Sequence, residues 1–179
     1  MRPRSLALAL AVATIATSPV HAQPAVPAAS ACSGPRAATL DFWVGRWRVV
    51  DAKGALLGMN QIDKVLKGCA LIENWREPDG SEGKSLFYFN ANTQIWRQLR
   101  VEDDTRALGG IKEKLMVSAP GAAVVRFQGT LFTPANEIVL DRTTLEPLRD
   151  GRVRQSIAIS KDGGANWHMG FDAFYIREP

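Results

Sequence analysis

Six side chains in the body of this sequence are placed to line a binding site. Glu73 and Trp75 lie in the stretch Cys69 to Arg76, Trp96 and Gln98 in Gln94 to Glu102, and Arg142 and Gln155 in two later stretches of similar character. In an extended strand, alternate residues share a face. Cys69, Leu71, Glu73 and Trp75 therefore form one set, and Gln94, Trp96, Gln98 and Arg100 another. Tryptophan beside polar partners suits a ligand-lined interior, because apolar walls supply affinity and a few polar groups fix orientation. Gln155, beside Val153 and Ile157 on one face, extends the pattern. A buried Glu73 paired with Arg142 would satisfy both charges. The opposite assignment stays open, with the charged and amide side chains in solvent and the aromatics in a solid core, since charges are seldom buried without a partner.

Catalytic chemistry has less to work with. His21 falls in an N-terminal segment expected to be removed, which leaves His168 and no histidine pair for zinc. A Ser-His-Asp arrangement would have to use His168, which sits beside Trp167 with no nucleophile motif nearby. Glu73 could act as a general acid or base in an isomerase-like or cyclase-like site, although nothing in the spacing selects such a reaction. No glycine-rich loop follows a strand and opens a helix, so nucleotide binding has no support. Neither a metal nor a cofactor is expected.

The first 22 residues read as a secretory signal: Arg2 and Arg4, an apolar run from Leu6 to Ala16, and Val20 and Ala22 as small residues before a cut after Ala22. The run is too short to span a bilayer comfortably. A lipidated Cys32 would need that cysteine close behind the apolar run, and Pro24 and Pro27 intervene. The expectation is a periplasmic or secreted protein with no membrane span. Loss of the segment leaves 20 basic against 18 acidic residues, a charge of +2 scattered along the chain. That is unlike the clustered basic face of a nucleic-acid binder. In an oxidising compartment, Cys32 and Cys69 are expected to form a disulfide that closes a loop of about 38 residues. Residues 23–37 are rich in Ala, Pro and Ser and are expected to form an unstructured leader.

From residue 38 onward, short alternating or β-branched runs recur between Asp-Gly, Gly-Gly and Pro-Gly punctuation. Strands are predicted at Arg46 to Asp51, Met59 to Leu66, Cys69 to Arg76, Lys84 to Asn90, Gln94 to Glu102, Ala107 to Ile111 and Lys114 to Ser118. They continue at Val124 to Phe132, Ile138 to Leu145, Arg152 to Ser160 and Trp167 to Arg177. Their spacing is that of hairpins, with a single weak helical turn at Thr39 to Val44 and no helix fit for a parallel crossover. About ten antiparallel strands in one domain over 38–179 make the chain all-β, an up-and-down barrel or a sandwich. Ser160, Asp162, Gly164 and Trp167 also fit the Asp-box pattern, whose single copy implies a hairpin in which Asp162 holds turn amides and Trp167 packs beneath.

Several segments together carry a resemblance. Asp41-Phe42-Trp43-Val44-Gly45-Arg46-Trp47, Gly68-Cys69-Ala70-Leu71-Ile72-Glu73-Asn74-Trp75, Trp96-Arg97-Gln98, Gly151 to Gln155, Ser160 to Trp167 and Phe171 to Arg177 are similar to a family of exported, largely uncharacterised bacterial proteins of lipocalin-like, or calycin-like, shape. The likeness covers about residues 32 to 179. It implies a closed antiparallel barrel in which Gly45 and Trp47 begin the first strand and Arg177 of the last strand lies over the indole. It brings no substrate, because fold does not imply function. Related barrels can hold haem through one histidine, a reading that would fall on His168, although a lone histidine on a strand is more often structural. The functional expectation is a barrel that sequesters or carries a small, partly apolar molecule. The alternatives are an envelope enzyme using Glu73, or a filled barrel acting as a structural or interaction protein. Oligomeric state is not legible in the sequence.

Overall fold

The computed structural model describes residues 32–103, 110–133 and 135–179. Ten strands run through them in order: β1 Gly45–Val50, β2 Leu56–Val65, β3 Ala70–Arg76, β4 Glu82–Asn90, β5 Ile95–Glu102, β6 Ile111–Met116, β7 Val125–Phe132, β8 Ile138–Pro147, β9 Val153–Ser160 and β10 His168–Arg177. Each pairs with its sequence neighbour and β1 pairs with β10, which gives a closed, antiparallel, up-and-down barrel of lipocalin-like form. The strands form because inward apolar residues alternate with outward polar ones. In β4, for example, Ser85, Phe87 and Phe89 are buried while Lys84, Leu86 and Tyr88 face out. The predicted strand Lys114 to Ser118 falls on β6, which already begins at Ile111, while residues 107–109 of the predicted strand Ala107 to Ile111 lie, with 104–106, outside the described residues. The inward side chains Lys112 and Lys114 disguised its continuity, because charged residues do not read as a core face.

Closure is made by main chain and side chain together. Trp47 lies opposite Arg177 in the β1–β10 register. The guanidinium sits 4.2 Å from the indole centroid, an arrangement that contributes roughly 1 kcal/mol. Arg177 also donates from Nη1 to the Val44 carbonyl at 2.9 Å and from Nη2 to that of Phe42 at 3.4 Å. Gly45 makes this approach possible: a Cβ there would lie 2.3 Å from Arg177 Nη1, and its φ of +137° is a conformation L side chains rarely adopt. The Gly-x-Trp spacing thus places the indole inside and leaves room for the arginine across its face.

Below this seam the chain seals one end of the barrel. A 3-10 turn, Asp41–Trp43, inserts Trp43 among Phe87 and Tyr175, edge-on at 5.4 and 5.9 Å. The disulfide Cys32–Cys69, with a Cα separation of 4.9 Å, ties the preceding segment to the wall. The expected leader changes accordingly. Residues 23–31, like the expected signal at 1–22, lie outside the described residues, whereas residues 32–37 are folded against the barrel. Ala37 and Leu40 are buried, and Trp96 Nε1 donates to the Arg36 carbonyl at 3.0 Å. Ala-Pro composition concealed this contact because small side chains pack as readily as they float.

Two outcomes follow. Gly45→Ala is expected to lower stability by about 1–3 kcal/mol through backbone strain and displacement of Arg177, measured as the urea midpoint. Removing the disulfide as Cys32→Ser with Cys69→Ser should cost about 4 kcal/mol in the chain-entropy account. A Gly45→Ala protein as stable as its parent would rule out the closure argument.

Candidate functional site

Each inward face changes character partway along the barrel. β3 passes from Leu71 to Glu73, β5 from Trp96 to Gln98 and Arg100, β6 from Met116 to Lys114, β8 from Leu145 to Thr143 and Asp141, and β9 from Val153 to Gln155. The lower half is solid, with Trp43, Trp47, Phe87, Trp96 and Phe127 all fully buried. The upper half encloses a cavity of about 240 Å³. Its apolar wall is Trp75, Ile157, Ile159 and Phe171, and its polar wall includes Glu73, Gln98, Arg100, Lys114, Asp141 and Gln155. The question of a filled or open interior therefore has a divided answer.

Four of the six sequence-predicted residues come together here: Glu73, Trp75, Gln98 and Gln155. Trp96 does not, because it lies one step deeper, tilted against Phe89 at 5.6 Å within the solid core. Arg142 does not either. It points outward between inward-facing Asp141 and Thr143, makes no bond to Glu73, donates to Gln128 at 3.0 Å and stacks 3.8 Å above Trp167. The strand holding Arg142 offers two possible inward sets. The one that closes a charge pair inside the barrel is Asp141 with Lys114, not Arg142 with Glu73.

Glu73, 3% exposed, is the hub of the network. Its Oε1 accepts from Asn60 Nδ2 at 2.8 Å, and its Oε2 accepts from Ser85 Oγ at 2.5 Å and Arg100 Nη1 at 3.1 Å. Arg100 reaches it because Gly83 leaves a gap in the wall: a Cβ there would lie 2.5 Å from Arg100 Nη2. Proton inventory then fixes the neighbours. The Ser85 hydroxyl spends its proton on Glu73, so its oxygen receives the Gln98 amide N–H at 3.3 Å, which leaves Gln98 Oε1 as the end without a donor. Asn60 also donates to the Tyr175 hydroxyl at 3.3 Å, and that hydroxyl donates on to Gln155 Oε1. Burial, with the Glu73 carboxylate nearby, pushes the Tyr175 phenol well above its ordinary pKa, so it remains a donor.

On the facing wall, Lys114 donates to Asp141 Oδ1 and, at 2.6 Å, to Thr143 Oγ1. Burial pulls the Lys114 amine down to about 8, against the opposing attraction of Asp141. Asp141 is 0% exposed and its Oδ2, like Gln98 Oε1, accepts no hydrogen bond among the described residues. Nearer the mouth, Arg100 Nε donates to Glu102 at 2.5 Å and Lys112 approaches the same oxygen at 3.4 Å. Burial acts to raise the Glu102 carboxyl, but the Arg100 hydrogen bond and the two cations hold it below its usual range.

Sequence reasoning passed over Lys114, Asp141 and Tyr175. The usable signal was the Lys112, Lys114, Met116 alternation, which places two lysines on one face with a core methionine. His168 is exposed at the start of β10 and does not line the cavity, so the single-histidine haem reading has no ligand in the interior. Among the described residues, no group of three His, Cys, Asp or Glu side chains is placed to hold a metal, and no helix is long and apolar enough to cross a membrane. The Asp-box residues act locally. Asp162 accepts from the Asn166 amide at 2.9 Å, bonds that hold its carboxyl at about 2, and Trp167 Nε1 donates to the Gly164 carbonyl at 3.0 Å.

Fold and site together define a closed ten-stranded barrel with one packed half and one polar, half-open half. No family model matches the chain. No curated protein matches it either.

Replacing Lys114 by Met alone is expected to cost about 3–5 kcal/mol, since it strands a buried carboxylate, whereas Lys114→Met with Asp141→Leu should recover most of the loss. The pH dependence has a definite sign. A folded pKa near 8 below the unfolded lysine value near 10.5 means the unfolded chain binds more protons in that window. The Lys114 contribution to stability therefore rises as pH goes from about 8 towards 10. Urea midpoints at pH 7 and 9.5 should show this rise in the parent and lose it in the double variant.

Proposed function

We propose that this protein is exported and holds a small, partly apolar molecule in the upper half of its barrel without turning it over. One observation carries the reading: a 240 Å³ cavity, walled on one side by Trp75, Ile157, Ile159 and Phe171, and on the other by polar side chains that include Glu73, Gln98, Arg100 and Gln155. Cavities of about 150 Å³ lined by apolar residues accept benzene, so this one suits a single ring with a substituent or a chain of similar bulk.

Export is supported by the Arg2 to Ala22 signal pattern and by the Cys32–Cys69 disulfide, which persists in an oxidising compartment. The likeness to exported lipocalin-like barrels agrees with both. The enzyme alternative with Glu73 as acid or base is weaker on geometry. Both Glu73 oxygens already accept donors, one of them Arg100, so neither is left free to reach a substrate proton.

Native mass spectrometry of protein isolated from the periplasm of producing cells tests the reading. The expected result is a polypeptide beginning at Gln23 that carries a small adduct released on collisional activation. A bare mass in every preparation, with no uptake of any single-ring compound at millimolar concentration, would overturn it.

A further inference from the structure

The charges lining the cavity do not balance. Among the described residues four carboxylates, Glu73, Glu77, Glu102 and Asp141, face three cations, Arg100, Lys112 and Lys114, which leaves one negative charge in excess. Pairing locates the surplus. Arg100 serves Glu73 and Glu102, Lys112 serves Glu102, and Lys114 serves Asp141. Glu77 is paired with no cation among the described residues; its Oε1 accepts only the neutral indole N–H of Trp75 at 3.1 Å. It lies at the exposed mouth, next to an aromatic corner formed by Trp75 and Phe171, whose rings meet edge to face at 6.5 Å and 87°.

Deeper in the wall the carboxylates are already satisfied by cations, Glu73 by Arg100 and Asp141 by Lys114, so the surplus charge stays at the mouth. Aromatic faces beside an unpaired carboxylate attract cations and repel anions. A cation at the mouth is the chemistry that meets both the unpaired carboxylate and the aromatic corner.

Building on the carrier reading, we propose that the ligand is a small monocationic amine with a compact apolar body, its ammonium seated at the mouth between Glu77, Trp75 and Phe171. The body then lies against Ile157 and Ile159, the apolar side of the same cavity. No covalent step is involved.

Four probes of one size and different head test this: benzylamine, benzyl alcohol, toluene and benzoate, titrated into the full-length mature protein by calorimetry, with tryptophan fluorescence as a second readout. Benzylamine should bind about tenfold or more tighter than toluene, in keeping with charge-assisted hydrogen bonding, and benzoate should bind least. Glu77→Gln keeps the shape and the acceptor for Trp75 at an exposed position, so the fold is retained. It should weaken benzylamine several-fold and leave benzyl alcohol and toluene unchanged. Equal binding of all four probes, or an unchanged benzylamine affinity in Glu77→Gln, overturns the amine inference while leaving the carrier reading intact. Tighter binding of benzoate than benzylamine overturns it outright. Failure of every probe to bind, with bare protein from the periplasm, removes the carrier reading as well.

Discussion

Pairing of β1 with β10 removes the free edges of the sheet, and the interior exists only because that pairing is made. An open ten-stranded sheet would expose two rows of unpaired amides and carbonyls and leave its inward face half solvated. Here the seam is held by main-chain bonds and by Arg177, which covers Trp47 and ties the carbonyls of Val44 and Phe42 in the turn that seals the barrel floor. Wall and floor are therefore fastened by one side chain. The disulfide works in the same direction from the other side of the floor, anchoring Cys32 to the start of β3.

With the wall closed, the interior divides by chemistry. The lower residues of successive strands are aromatic and aliphatic and meet edge to face, as Phe87 does with Trp43 and Phe127 at 5.4 Å. They supply the burial that outweighs chain entropy. The upper residues are charged and amidic, and they hold position through directed hydrogen bonds instead of volume. Glu73 is the hinge between the two regimes, since it is one pleat above Leu71 and organises Asn60, Ser85 and Arg100 around it.

The architecture was largely legible because turn residues and period-2 alternation act locally, and the Gly45, Trp47 and Arg177 pattern reports on the two strand ends that must meet. The site was legible only where alternation left no choice. Glu73 and Trp75 share a face with Leu71, which could hardly face water, and they were placed correctly. Arg142 was not, because Thr143 and Thr144 are equally suited to either face of β8, and the decision came from Lys114 across the barrel. Trp96 was assigned to the right face and the wrong depth, since alternation fixes direction but says nothing of height along the axis. Buried lysine is the hardest case: no local pattern separates Lys114 from a solvated lysine, and only its partners Asp141 and Thr143 do.

The split interior has an evolutionary consequence. Substitutions on the upper pleats, at Gln98, Thr143, Gln155 or Ile157, reshape the cavity while leaving the aromatic foundation untouched, and those in the foundation act on stability. Selection acting on one half is thus little constrained by the other. A barrel built in this manner can vary the chemistry of its upper interior while its closed wall and floor stay fixed.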